Sequence, residues 1–475
     1  MEKKKHLRTG LIVLCILLAG SIGGLFWFNH TYLVMDGEVY PRATAELDLS
    51  GNPDPDLDKL TELTALQVLN LRDTGITVEE YETLRAAMPE CRILWSVPFQ
   101  GSYLPDDTTE ITVSSLSSED VALLTAYLPG LTDVNAGSCR DYDQLVALQA
   151  AFPQANISYS IRVNGRDWPV DTAGMALTDA DADELSQMLP YLPEVTEISL
   201  DGKLPLAEDL QALTAAYSHI RFYWQIELFG MIADVDTTEL DLSGIPMETV
   251  EEVEAAVAYL PSLERVYMHN CGISNEEMDA LNHRHEGVRF VWTVKIGKMS
   301  VSTDATTFMP GKINYFINDS LSYNLRYCID MVCLDLGHQY ISNCDFVAFM
   351  PKLKYLILAD TDIWDLTPLE NCKELIYLEV FLTPVKDFSP LLGCTALEDL
   401  NICFTDADID VICQMTWLNN LWWSPYDAER YEILHAHLPD THLELNAKSS
   451  TGNGWRNLQN YYDHRDLLGM YYMTS

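Results

Sequence analysis

Apolar residues return along this chain at two periods. In the C-terminal part the short pattern L-x-x-L-x-L recurs as Met331-Leu334-Leu336, Leu353-Leu356-Leu358, Leu375-Leu378-Val380, Leu397-Leu400-Ile402 and Leu418-Leu421-Trp423. The first members lie 22, 22, 22 and 21 residues apart, and Leu443-Leu445 adds a last strand 22 after Leu421. Thr361, Thr383 and Thr405 follow three residues after their strands, and Cys372 and Cys394 keep the 22-residue spacing. Period-2 alternation turns the leucines inward. A coil this short cannot bury its own apolar side, so it must stack on the next coil. The threonines then stand where a side chain can satisfy turn backbone, and the two cysteines read as small buried hydrophobes, unpaired.

The N-terminal part has a longer period. Leu47, Ile111, Met175, Leu240 and Met309 open its units, spaced 64, 64, 65 and 69. A middle strand recurs as Leu66-Leu69-Leu71, Leu131-Val134-Ala136, Val195-Ile198-Leu200 and Leu263-Val266-Met268. A third recurs as Ile93-Trp95-Val97, Ile157-Tyr159-Ile161, Phe222-Trp224-Ile226 and Phe290-Trp292-Val294. Helices are predicted in the first two returns of each unit, for example Glu79–Met88 and Thr249–Leu260. The third return is too short for a helix, and Gly101, Gly165, Gly230 and Gly297 predict a hairpin there, since glycine adopts φ > 0 freely.

These motifs resemble the leucine-rich-repeat superfamily. The 22-residue coils are similar to the internalin-like class. The whole chain resembles membrane-anchored, internalin-like leucine-rich-repeat proteins of gut anaerobic Gram-positive bacteria, including the tail Gly454-Trp455-Arg456, Tyr461-Tyr462 and Arg465 to Met470. Thr in place of an Asn ladder, and the three-strand units, depart from internalins. The resemblance implies an α/β solenoid, a curved horseshoe with a parallel β-sheet on its concave face, behind one N-terminal transmembrane helix. The expected organisation is a basic tail at 1–10, an anchor at 11–28, long units at 43–308, short repeats at 309–446, and a flexible linker with a C-terminal cap at 447–475.

The anchor rests on the run Leu11 to Phe28. As a helix its 18 residues reach about 27 Å, near the roughly 30 Å of a bilayer's hydrocarbon core. Lys3, Lys4, Lys5 and Arg8 before it predict a single-pass cell-membrane protein, N-terminus cytoplasmic and repeats extracellular. A cleaved signal peptide, cut near Ala19-Gly20-Ser21, is the competing reading. With 71 acidic residues against 29 Lys and Arg, the net charge is −42, which argues against a nucleic-acid partner.

Candidate chemistry mostly dissolves into the repeat. Trp95, Tyr159, Trp224 and Trp292 share the inward side with Ile and Val, which predicts a core ladder. Asp179, Asp181 and Asp183 lack the glycine and distal acid of a calcium loop and suit a helix start. His435, His437 and His442 with Asp440 lack a zinc-ligand spacing. No catalytic residue, metal site or cofactor is expected, and no enzyme. Outward strand positions do differ. They are polar in the long units (Glu46, Asp48, Asp133, Asn135, Glu197, Ser199, Glu239, Asp241). In the short coils they are Cys333, Asp335, Tyr355, Ile357, Tyr377, Glu379, Phe381, Asp399, Asn401, Asn420 and Trp422. Those from Tyr355 to Trp422 form a candidate binding face, unless the tail folds back over them. The expected function is protein–protein interaction or adhesion at the cell surface, with glycan or cell-wall binding as the alternative.

Overall fold

The structure is a computed structural model and describes residues 24, 25, 27–310 and 316–470. Most of the apolar run 11–28 and all of its basic flank lie outside them. Among the described residues, no helix is long and apolar enough to cross a membrane. The chain packs as two units, Met1–Tyr223 and Trp224–Ser475.

In the first unit, short parallel strands associate in threes. They are Glu46–Asp48, Val68–Leu71 and Arg92–Phe99; Glu110–Thr112, Asp133–Asn135 and Asn156–Ser158; and Gly174–Thr178, Glu197–Asp201 and Arg221–Tyr223. Their central residues align as Leu47-Leu69-Ile93, Ile111-Val134-Ile157 and Met175-Ile198-Phe222. The second unit opens with one more such set, aligned as Leu240-Val266-Phe290. It continues in a seven-stranded parallel sheet aligned as Phe308-Leu334-Leu356-Leu378-Leu400-Leu421-Leu443. Most of these side chains are buried, each worth roughly 1.5–3 kcal/mol relative to exposure. One expectation shifts by a residue: Phe308, rather than Met309, fills the inward position of its strand. The spacing from Leu240 is thus 68, which is closer to the earlier units.

Four predicted hairpins close the long units, Arg92–Phe99 with Ser102–Pro105, Ser160–Val163 with Arg166–Pro169, Gln225–Leu228 with Met231–Asp234, and Thr293–Ile296 with Met299–Ser302. At the first, Gln100 and Gly101 both have positive φ, 48° and 78°, the two-residue turn that follows strand twist. The hairpin breaks the parallel ladder, so each long unit has its own small sheet. A further hairpin, Tyr32–Met35 with Glu38–Pro41, turns at Asp36-Gly37.

The returns differ in their structure. The long units have room for ten-residue helices such as Val78–Ala87 and Ser118–Tyr127, each started by a capping box, Thr77 with Glu80 and Ser117 with Asp120. Asp181 likewise accepts from the Glu184 N–H at 2.8 Å. The helix expected over Thr249–Leu260 is shorter, Glu251–Val257. Three of the short coils make single 3-10 turns instead, Asp345–Phe349, Thr367–Leu369 and Ser389–Gly393, while the last two return through the helices Ile409–Ile412 and Ala428–His437.

Inside, Trp95, Tyr159, Trp224 and Trp292 are all buried. The hydroxyls of Thr361, Thr383 and Thr405 donate to the carbonyls of Leu358, Val380 and Ile402 at 2.6–2.7 Å. Each threonine thus satisfies its turn with a single bond, as its place after the strand predicts. Cys372 and Cys394 are free and buried, and burial pushes their thiols up to about 12 and about 11. Neither should react with maleimide in the native protein, and both should count as free thiols after denaturation. A bridged peptide joining them would contradict this packing.

Candidate functional site

The outward side of the seven-stranded sheet is not open. Tyr355, Ile357, Tyr377, Glu379, Phe381, Asp399, Asn401 and Trp422 are all buried, and Asn420 is half-buried. The chain's own tail lies over them, through the 3-10 turn Trp455–Asn457 and the helix Gln459–Leu467. Trp455 is fully buried between Tyr377 and Trp422, with ring centres 5.2 and 5.3 Å away. Its indole N–H donates to Glu379 Oε1 at 2.7 Å, and the Tyr377 hydroxyl donates to the same oxygen. The stretch expected to be a flexible linker is tied down. Ser450 O accepts from Asn401 at 2.8 Å, and Gly452 O accepts from the Trp422 indole at 2.9 Å. His464 stacks on Tyr377, and Asn460 donates to Asp399 at 3.1 Å.

Two expectations therefore change. The aromatic side chains proposed as an exposed binding face form the seat of the tail. The tail expected to cap the last coil runs instead across the outward face of several coils. The physical reason is ordinary: Tyr377, Phe381 and Trp422 carry too much apolar area to leave in water when a Trp-bearing segment can reach them.

This interface also buries ionisable groups. Burial holds the carboxyls of Asp335, Glu379 and Asp399 above the usual carboxylate range, and pushes His464 down to about 4. The depressed His464 contributes stability that is present above its ordinary 6.5 and lost as pH falls through about 4. The raised carboxyls act in the opposite sense. Their contribution is present below the ordinary carboxylate value and lost as pH rises through their raised values. His464→Phe keeps a flat ring against Tyr377 and removes the imidazole. It should abolish the part of the acid-side loss of tail docking that falls between pH 6.5 and 4 while leaving the alkaline side unchanged. Tryptophan fluorescence against pH is the readout, and an unchanged acid limb would contradict it.

The long units keep their outward positions open. Glu46, Asp48, Glu110, Thr112, Asn135, Asn156, Ser158 and Glu197 are exposed in the first unit, and Glu239 and Asp241 in the second. On the middle set, Glu110, Thr112, Asp133, Asn135, Asn156 and Ser158 line an open hollow of about 450 Å³. Asn156 donates to Asp133 Oδ1 at 3.3 Å. The hollow is thus polar and acid-edged. In the second unit a cavity of about 610 Å³ lies beside the helix Asn275–Arg284. There the Arg326 guanidinium sits 3.8 and 4.1 Å from the rings of Tyr323 and Tyr327. It is also 3.5 Å from Glu276, so this cation is already matched inside the protein.

The structure does not bring His435, His437 and His442 together as ligands. Among the described residues, no group of three His, Cys, Asp or Glu side chains is placed to hold a metal ion. His435 stacks on Tyr431, His437 faces the Ile433 carbonyl, and His442 packs on Trp422.

No family model matches the chain, and no curated protein matches it. Among solved structures, an internalin of Listeria monocytogenes is 16% identical, with 87% of this chain and 91% of that one covered and a TM-score of 0.25. Internalin C2 of the same organism is 16% identical, covering 43% of this chain and 80% of its own, TM-score 0.25. A leucine-rich-repeat protein of Leptospira interrogans is 14% identical, covering 85% and 96%, TM-score 0.28. The in-register inward leucines, the 22-residue coils and the short parallel strands make this a leucine-rich-repeat fold.

Proposed function

We propose that this protein is a binding scaffold that acts through the open, polar strand faces of its long units and catalyses no reaction. The observation that carries this reading is the contrast between its two strand surfaces. The aromatic one is filled by the protein's own tail, whereas Glu110, Thr112, Asp133, Asn135, Asn156 and Ser158 surround a hollow that no other described residue of the first unit covers. Polar side chains left open on a strand surface are suited to recognition. The partner class is protein, met at the cell surface. The basic flank and apolar run 3–28 support a single-pass anchor with the repeats outside.

The test is capture from host and bacterial surface fractions, run beside a glycan array, with the wild-type protein and with Glu110→Arg/Asp133→Arg. A protein retained by the wild type and lost by the variant, at unchanged melting temperature, is expected. Retention by both would place recognition elsewhere. Glycan binding that the variant loses would assign the same hollow to the other ligand class.

A further inference from the structure

Many coils bend sharply just after the strand, and there the bend has a fixed place. Two residues past the last inward residue the backbone enters the left-handed region, at Gly51, Asp73, Asp179, Gly202, Gly244, Asn270, His338 and Asp360. These are residue types that tolerate positive φ, because they have no Cβ or a short polar side chain. The same place in the next two coils holds Leu382, φ 58°, and Phe404, φ 62°. A bulky apolar residue there is an outlier that stores local strain.

Burial does not offset that strain. Leu382 is 47% exposed and Phe404 40%. They are neighbours in register, since Leu382 N–H donates to Cys403 O at 3.0 Å and Phe404 N–H to Ser424 O at 2.7 Å. The next coil is one residue shorter, so Pro425 holds the equivalent place, and Tyr426 beside it is 54% exposed. The result is an apolar ridge along the edge of the sheet, beside the tail-covered face but not under it. Two unfavourable choices in adjacent coils, neither serving the fold, mark a surface kept for contact.

Its surroundings select the partner. Asp360 continues the ridge on one side, with its N–H bonded to Phe381 O at 2.9 Å. Asp362, Asp406 and Asp427 also lie within two residues of ridge positions. The cations near it are Lys386, 3.1 Å from Asp406, and Arg430, bonded to Pro425 O at 3.3 Å. An acid-rimmed apolar strip repels anionic lipid, and it repels a second copy of a chain of net charge −42.

We infer that Leu382, Phe404 and Tyr426 form a docking ridge for a protein segment that presents apolar side chains flanked by lysine or arginine. This surface shares no residue with the hollow at Glu110 and Asp133, so either can fail without the other.

The test uses the variant Leu382→Asn/Phe404→Asn and, as probe, an amphipathic leucine–lysine helical peptide, with a leucine–glutamate peptide as control. Wild-type protein should bind the basic peptide and protect residues 380–406 from hydrogen exchange, and should ignore the acidic one. The double variant should lose about tenfold or more in affinity. Its melting temperature should rise, because asparagine suits the left-handed backbone. A structural role predicts the opposite sign: a melting temperature lowered by the substitutions would overturn the inference. So would equal peptide affinity in both proteins, or protection confined to other segments. Binding to phosphatidylglycerol vesicles, or self-association in sedimentation, that depends on Leu382 and Phe404 would overturn the partner assignment.

Discussion

Replacing Trp455 by alanine should release the tail from the sheet, at a cost of about 3–5 kcal/mol of docking free energy. The indole is fully buried, lies against Tyr377 and Trp422, and supplies a hydrogen bond to the buried Glu379 carboxyl. Its removal leaves a cavity and withdraws one of that carboxyl's two donors. The loss should be local first: Trp422 becomes quenchable by iodide while the parallel ladder beneath stays folded. Trp455→Phe separates the two contributions. It keeps most of the apolar contact and loses only the donated bond, so about 1–3 kcal/mol should be lost. Equal losses in the two variants would show that the indole N–H carries the docking. No loss in either would show that the tail is not held by this residue.

The second large effect belongs to the aromatic ladder. Trp95→Ala should destabilise the first unit by about 3–5 kcal/mol, read by urea unfolding. Trp95 is buried in the interior of its strand, Arg92–Phe99. Its ring lies parallel to Tyr81 with centres 3.9 Å apart, and Tyr127 meets it edge-on at 5.4 Å. Tyr81 and Tyr127 come from two different helical returns, so the ring locks both onto the sheet. Trp364, 64% exposed, provides the contrast. Its replacement by alanine should stay within about 0.5 kcal/mol. Comparable losses at both positions would contradict the assignment of Trp95 to the core.

The repeats were legible because strand alternation and coil spacing are local signals repeated many times. Leu334, Leu356, Leu378, Leu400 and Leu421 could be placed inward from spacing alone, and so could Trp95, Tyr159, Trp224 and Trp292. The hairpins at Gly101, Gly165, Gly230 and Gly297 followed from return length. Where the period drifted, at Met309, the reading slipped by one residue to a neighbour of the true inward position. The hairpin at Asp36-Gly37 carried a strong turn signal but had no repeat partner to draw attention to it.

The site was harder, for a different reason. Alternation tells which side of a strand a residue faces, not whether something covers that side. Tyr377 and Trp422 were placed outward correctly, yet they are buried by a segment that starts far along the chain. The available signal was compositional: a Trp- and Tyr-rich tail beside an aromatic face in an otherwise polar surface. The ridge at Leu382 and Phe404 was illegible for a third reason. Its meaning depends on backbone torsion, and a leucine or phenylalanine after a strand does not announce φ > 0.

The aromatic face of the short coils is occupied by the protein's own tail. Hydroxyl-radical footprinting of the intact protein tests it most directly. Tyr377, Phe381, Trp422 and Trp455 should stay unmodified, while Tyr103, Tyr340, Trp364 and Tyr426, all exposed, are oxidised readily. Oxidation of Tyr377 and Trp422 as fast as Trp364 would contradict the account and return the aromatic face to the open surface.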